Sequence, residues 1–134
     1  MSPITRRTAG ALAGASALSA LLLAKAAAMT QTPPGWMRHD EIALLVYPKM
    51  TALDLIGPQH MFAALMGARV HLVGKTLDPV TSDTGVTIAP TATFETCPRD
   101  LTVLFAGGGT VGTLAAMSDD RTLDFLADRG ARAA

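Results

Sequence analysis

The 134-residue sequence lacks the features that mark several protein classes. Cys97 is its one cysteine, so an intramolecular disulfide framework is excluded. Only 4% of the residues are aromatic, so a core has to be built mainly from aliphatic side chains and methionine. Eleven basic residues balance eleven acidic ones, without the Lys/Arg clusters that bind nucleic acid. A nucleic-acid partner is therefore not expected.

Metal-binding patterns are lacking as well. Zinc sites need several cysteines or histidines at fixed spacings, and the three histidines, His39, His60 and His71, do not have them. The sequence accordingly predicts no metal site, and no cofactor is expected.

Residues 1–28 have the layout of a bacterial export signal and are kept apart from the fold. Arg6 and Arg7 form a basic start, and residues 9–23 form an uncharged stretch that is short for a membrane span. The paired arginines, with Lys25 near small-residue cleavage sites, resemble a twin-arginine signal. The expected location is then the periplasm, with membrane contact only during export. An uncleaved amphiphilic tail is the alternative.

The rest of the chain begins with a pattern typical of a parallel sheet. Residues 29–40 are predicted to be a linker and residues 41–134 one domain. An apolar strand over residues 41–47, a helix over residues 58–66 with its proline in the first turn, and a strand over residues 69–73 form a βαβ unit.

The second half of the domain continues the sheet after an excursion. Residues 81–85 are predicted to be a turn between two short strands, and residues 91–100 a connector. Residues 101–105 are an apolar run that ends in three glycines, as expected of a buried parallel strand. A short helix over residues 110–117 and a second helix to about Arg129 follow.

Asp54 is the first candidate for chemistry. It follows the first strand and lies between apolar neighbours, so partial desolvation would raise its pKa and suit it to proton transfer. The alternative is an aspartate that caps a helix and does nothing else.

The glycine-rich stretch at residues 107–112 is the second candidate. It matches G-x-G-x-x-G formally, but it follows a late strand, and the acids at the right distance, Asp124 and Asp128, fall in a predicted helix. The backbone N–H groups of Gly108 and Gly109, near a helix N-terminus, could instead hold a developing negative charge. A tight turn without chemistry is the plain alternative.

Cys97 is not predicted to be a nucleophile. It precedes Pro98 on the connector that leads to the amino end of a strand, whereas ligands bind at carboxyl ends. No partner base is evident.

Three ordered motifs carry a family resemblance. Residues 42–58 (I-A-L-L-V-Y-P-K-M-T-A-L-D-L-I-G-P), 79–90 (P-V-T-S-D-T-G-V-T-I-A-P) and 100–110 (D-L-T-V-L-F-A-G-G-G-T) resemble the ThiJ/PfpI superfamily, which is class I glutamine amidotransferase-like, and most closely its isonitrile hydratase-like branch. The resemblance implies a flavodoxin-like three-layer α/β/α sandwich with a mostly parallel sheet. It also implies a small-molecule substrate and a homodimer in the full-length protein.

The resemblance assigns roles to some of these residues. Asp54 matches the family's acid, and Gly108 and Gly109 match the glycine pair of its P-G-G motif, with Gly107 in place of the proline. His60 stands where many relatives carry glutamate. The family's elbow cysteine is not matched, so the domain is expected to be truncated on its C-terminal side and whether this chain is an enzyme stays open.

The expected activity of the complete form is that of a lyase that converts isonitriles into N-substituted formamides. Two alternatives stay open. One is a ligand-binding domain, such as the sensor domain of an AraC-type regulator. The other is a protease-like or glyoxalase-like hydrolase of the same superfamily.

Overall fold

The computed structural model describes residues 35–133 and, before them, residues 20, 23, 25 and 33. The chain divides into two units, Met1–Trp36 and Met37–Ala134, and every element discussed below lies in the second. The predicted export signal falls almost wholly outside the described residues. No helix among those residues is long and apolar enough to cross a membrane.

The second unit alternates strands and helices. The strands are β1 (Glu41–Leu45), β2 (Arg69–Gly74), β3 (Val80–Thr81), β4 (Thr87–Ile88), β5 (Ala92–Thr93) and β6 (Val103–Ala106). The helices are α1 (Ala52–Ala63), α2 (Thr110–Ala116) and α3 (Asp120–Gly130).

The main sheet has four parallel strands in the order β5-β2-β1-β6. Its central strand β1 is buried from Ile42 to Leu45, because it has a strand on either side and a helical layer on each face. The predicted βαβ unit is thus confirmed. Glu41 pairs with Arg69 at one end of the β1–β2 register, and Leu45 pairs with Val73 at the other.

Neighbouring residues of β6 identify the two outer layers. The ring of Phe105 meets that of Phe62 on α1 edge to face, with 6.5 Å between centroids. Leu104, the preceding residue, lies against Gly130 of α3. Successive strand residues point to opposite faces, so α1 and α3 cover opposite sides of the sheet. The predicted three-layer α/β sandwich is confirmed.

The predicted start of α1 is wrong. The helix begins at Ala52, six residues before Pro58, which lies in its interior. A proline disfavours the helical conformation of the residue before it by clashing with that residue's N–H and Cβ, and Gly57 lacks the Cβ. The Gly57-Pro58 pair can therefore lie inside a helix, although the sequence pattern predicted that the helix begins at Pro58.

The excursion after β2 contains one strand more than the sequence predicted. Strands β3 and β4 form the expected antiparallel hairpin. Residues 91–100 are not only a connector, because Ala92 and Thr93 form β5 at the edge of the main sheet. Two residues are too few to produce a readable hydrophobic pattern.

The far edge of the sheet is only partly covered. Within the described residues, β6 pairs with β1 alone, and its residues 103–105 are half-buried. Leu114 and Met117, on and just after α2, are exposed, whereas Phe125 of α3 is buried in a parallel stack on Phe94. The expected strand of residues 101–105 is thus parallel, but less buried than predicted.

Helix α2 is held against the loop after β1 by a close backbone contact. A Cβ atom on Gly112 would lie 2.5 Å from the carbonyl oxygens of both Pro48 and Lys49. These are backbone atoms, so the loop or the helix would have to move to accept a side chain.

We predict that Gly112→Ala destabilises the fold by about 1–3 kcal/mol, because overpacking outweighs the gain in helix propensity. Gly130→Ala is the matched control, since its Cβ would make an ordinary 3.8 Å contact with Leu104. That variant should be neutral or stabilised by up to about 1 kcal/mol. Urea unfolding followed by circular dichroism measures both changes. Equal stability of the two variants would contradict the packing argument.

Candidate functional site

Asp54 lies in the first turn of α1, beyond the carboxyl end of β1. Its predicted desolvation is wrong: the residue is exposed, and so are Leu53 (74% exposed) and Ile56 (47%). Only Leu55 turns into the core. The reason is that the segment is helical, so successive side chains point around the axis instead of enclosing the carboxylate.

The glycine turn, residues 107–109, follows β6 and comes to the same place. The backbone N–H of Gly108 donates a hydrogen bond to Oδ2 of Asp54 at 3.1 Å. The structure therefore brings together the Asp54 carboxylate and Gly108, which the sequence analysis treats as two separate candidates. Because this N–H is already paired with a carboxylate, any acceptor in a reaction would share it with Asp54 or displace Asp54 from it.

The loop between β1 and α1 is tied to the glycine turn from the other side. The N–H of Thr51 donates to the carbonyl of Gly108 at 2.9 Å. Gly108 is thus bonded through both its N–H and its C=O to residues at the start of α1. The alternative of a plain tight turn does not account for this cross-connection to a chain segment more than fifty residues away.

Two of the glycines are required by close approach. A Cβ on Gly108 would lie 2.7 Å from Oδ2 of Asp54. Gly109 has a φ of +149°, and a Cβ there would lie 2.8 Å from Cα of Met50. A side chain at Gly109 would push the turn away from the backbone of the loop, whereas one at Gly108 would displace the Asp54 carboxylate, so the contact between Asp54 and Gly108 depends on the absence of both.

The β3–β4 hairpin also holds the loop between β1 and α1. Oγ1 of Thr51 donates to the Asp83 carboxylate at 3.1 Å, and the Asp83 N–H donates to the carbonyl of Met50 at 2.9 Å. Lys49, which has a φ of +60°, donates its N–H to Thr81. The sequence predicted the hairpin, but hairpin spacing does not indicate what the turn contacts.

Tyr47 and Thr113 are further residues that the sequence analysis missed. Oη of Tyr47 donates to the carbonyl of Gly107 at 2.7 Å and lies 3.0 Å from Oγ1 of Thr113. Tyr47 is buried two residues beyond the end of β1. An isolated tyrosine at a strand end carries no signal of its partner, which lies 60 residues further along the chain.

A cleft of about 480 Å³ opens beside the end of β1. Such a volume accommodates a small organic molecule. Lys49, Lys75 and Asp78 bring charge to its wall, whereas Tyr47 and Phe94 bring aromatic surface. Lys75 is also paired with Asp119, and together with a hydrogen bond from Thr122 this lowers the pKa of the Asp119 carboxyl. The cleft adjoins the loop but is not lined by Asp54.

Cys97 is not among the residues of this site. It belongs to the segment between β5 and β6, 4% exposed, and Glu41 at the start of β1 is near enough to influence its thiol. Burial raises the pKa of the Cys97 thiol, an effect that nearby Arg129 opposes. A buried, protonated thiol is a poor nucleophile, in agreement with its exclusion from the candidate site.

The remaining candidates do not join the site. His60 is exposed on α1, six residues after Asp54. Asp124 and Asp128 lie in α3, as predicted, so they do not follow a strand as a dinucleotide-binding acid would. The described residues contain no group of three or more His, Cys, Asp or Glu side chains that could hold a metal ion.

Comparisons with known proteins identify the family. Over 93 residues the chain is 45% identical to isonitrile hydratase from Pseudomonas putida, which covers 69% of this chain and 40% of that protein. It is 66% identical to a ThiJ/PfpI family protein of known structure from Pseudomonas syringae, with a TM-score of 0.73 over 78% of this chain and 43% of the other. The chain belongs to the ThiJ/PfpI superfamily. The resemblance to its isonitrile hydratase-like branch is likewise confirmed.

Two further results complete the comparison. A mutant of a DJ-1 superfamily protein from Salmonella typhimurium has a TM-score of 0.59 at 16% identity, over 69% of this chain and 50% of the other, and so shares the fold. No family model matches the chain. The chain spans 40% of the length of the Pseudomonas putida isonitrile hydratase.

We predict that Cys97 reacts at least about 100-fold more slowly with a thiol reagent in the folded protein than in urea, because it is buried and its raised pKa leaves less thiolate at a given pH. The release of thionitrobenzoate measures the rate. A Cys97→Ser/Ala127→Cys variant places the thiol at an exposed position of α3 and should react at the rate found in urea. Equally fast labelling of native Cys97 would show that the site is accessible.

Proposed function

We propose that this chain supplies the acid–base carboxylate and the backbone donors of an isonitrile hydratase-like lyase, which converts isonitriles into N-substituted formamides. The contact between Asp54 and Gly108 is the observation that carries the proposal. The 45% identity to an isonitrile hydratase supports the choice of reaction within the superfamily.

Hydration adds one water molecule to the isonitrile, so protons have to move at the terminal carbon and at the nitrogen. In the proposed mechanism a cysteine thiolate attacks the terminal carbon, and Asp54 delivers a proton to the adduct. Water then adds to the carbon of the resulting thioimidate, and Asp54 accepts one of its protons. The other proton of the water ends on the nitrogen as the C–S bond breaks, which releases the formamide and regenerates the thiolate. An exposed carboxylate, oriented by the Gly108 N–H, is accessible to both substrate and water.

The nucleophile of this mechanism is not Cys97. That thiol is buried and its pKa is raised by burial. We therefore place the reactive cysteine outside the 134 residues, in a longer protein of which they form part. The complete protein is proposed to act on a small molecule and to be a homodimer.

Asp54→Asn is expected to lower kcat for formamide formation by about 100- to 10,000-fold in the complete protein, because an amide cannot exchange the proton. Mass spectrometry of the formamide formed from a small alkyl isonitrile measures the rate. Asp124→Asn, an exposed change on α3, is the matched control and should keep normal activity. Full activity of Asp54→Asn would remove Asp54 from the mechanism.

The 134-residue chain should form no formamide by itself. Formamide production by this chain would contradict the location proposed for the nucleophile. Sequencing the gene across codon 134 tests the same point, because the proposal requires a cysteine-bearing segment beyond it.

A ligand-binding domain without catalysis is the second candidate. The cleft of about 480 Å³ favours it, because charged and aromatic residues line a cavity of ligand size beside the loop of the candidate site. A complete protein that binds an isonitrile in calorimetry but releases no formamide would support this alternative over the lyase.

Export through the twin-arginine route is part of the proposal. It is supported by Arg6, Arg7 and the uncharged stretch that follows them. In a bacterial host, a fusion of residues 1–40 to a fluorescent protein should reach the periplasm, and Arg6→Lys/Arg7→Lys should retain it in the cytoplasm. Export of both fusions would rule out the twin-arginine route.

A further inference from the structure

The peptide unit between Gly107 and Gly108 is held on both sides. Its carbonyl oxygen accepts a hydrogen bond from Oη of Tyr47 at 2.7 Å. Its N–H, on the opposite edge of the same planar unit, donates to Oδ2 of Asp54 at 3.1 Å. One peptide plane therefore connects a buried phenol to the carboxylate of the candidate site.

The direction of the hydrogen bonds is fixed by counting protons. A phenol has one proton, and Tyr47 gives it to the Gly107 carbonyl. In the 3.0 Å contact between Tyr47 and Thr113, the threonine hydroxyl must then be the donor. The series runs from Thr113 through Tyr47 and the Gly107–Gly108 peptide to Asp54. Hydrogen bonds aligned in this way polarise and strengthen one another.

This peptide needs such support. Both of its residues are glycines, so no Cβ restrains rotation of the peptide plane. Rotation by half a turn would direct the Gly107 carbonyl, instead of the Gly108 N–H, at the Asp54 carboxylate. The two oxygens would repel each other, and the donor would be lost from the site.

We propose that Tyr47 is a positioning residue that fixes the orientation of the Gly107–Gly108 peptide and thereby presents the Gly108 N–H to Asp54. Burial keeps the phenol in place, since Tyr47 is 6% exposed and lies two residues beyond the end of β1. The assignment rests on the proposed function for its catalytic meaning, whereas the orientation itself is measurable in this chain without any reaction.

Tyr47→Phe removes only the hydroxyl and tests the assignment through hydrogen exchange measured by NMR. The Gly108 amide should exchange roughly fivefold faster in the variant, relative to the Val46 amide, which is bonded to Val73 in the sheet. The matched control is Thr113→Val, which keeps the bond from Tyr47 to Gly107 and should change this ratio less than about twofold. An unchanged ratio in Tyr47→Phe would overturn the proposal.

A second measurement separates positioning from a general loss of stability. Asp54→Asn should shift the Gly108 amide proton resonance in the wild-type background, because the amide loses a charged acceptor. In the Tyr47→Phe background the same change should produce a shift smaller by about half or more. Equal shifts in both backgrounds would show that Tyr47 contributes only to packing.

These outcomes are independent of the lyase proposal. If the complete protein forms no formamide but the Gly108 amide responds as expected, the positioning role stands and the assigned reaction fails. If the protein is active but the amide does not respond, the reaction stands and the role of Tyr47 fails.

Discussion

The candidate site depends on the approach of one glycine turn to the first turn of a helix. Gly108 donates to the Asp54 carboxylate and accepts from the Thr51 N–H, so a single residue joins the two segments that follow β6 and β1. These strands are neighbours in a parallel sheet, so their carboxyl ends emerge side by side. The sheet brings the segments near each other, and the absence of side chains in the turn lets them touch.

The surroundings of this contact stabilise its geometry without burying it. The β3–β4 hairpin holds the loop before α1 through Asp83, and Tyr47 holds the glycine turn through its hydrogen bond to the Gly107 carbonyl. Asp54 itself is exposed. Its orientation thus comes from hydrogen bonds and not from an apolar pocket, which is how a carboxylate remains open to substrate and water while keeping a defined direction.

The parts of the fold that could be predicted are those with a strong local pattern. The apolar run of β1 is predictable because a buried parallel strand needs apolar residues on both faces. The glycines after β6 are predictable because a sharp turn needs residues without a Cβ. The start of α1 is not predictable from Pro58, because a proline usually marks a first turn, whereas the lack of a Cβ on Gly57 lets this Gly-Pro pair lie inside the helix. The two-residue strand β5 is too short to produce a pattern at all.

The candidate site was predictable only in its residues and not in their arrangement. Asp54 and Gly108 could each be proposed from their chemistry and their place after a strand. The expectation that Asp54 is desolvated, however, assumed that its apolar neighbours in sequence also surround it in space. In a helix they do not. Tyr47 had no local argument, because its role arises from a contact 60 residues away.

The buried contacts of α3 and the exposed contacts of the candidate site have different consequences for the fold. Arg129, near the end of α3, is buried, lies 5.5 Å from the Phe125 ring and donates to the carbonyl of Phe94. Removing this buried guanidinium would leave its acceptors unsatisfied, so the contacts of Arg129 fix how α3 packs against the rest of the fold. In the candidate site, by contrast, the polar groups of Asp54 and Gly108 are held by one another at the surface. Cys97 shares the buried environment of Arg129, which also lies within hydrogen-bond distance of its carbonyl, so the thiol belongs to the core and not to the candidate site.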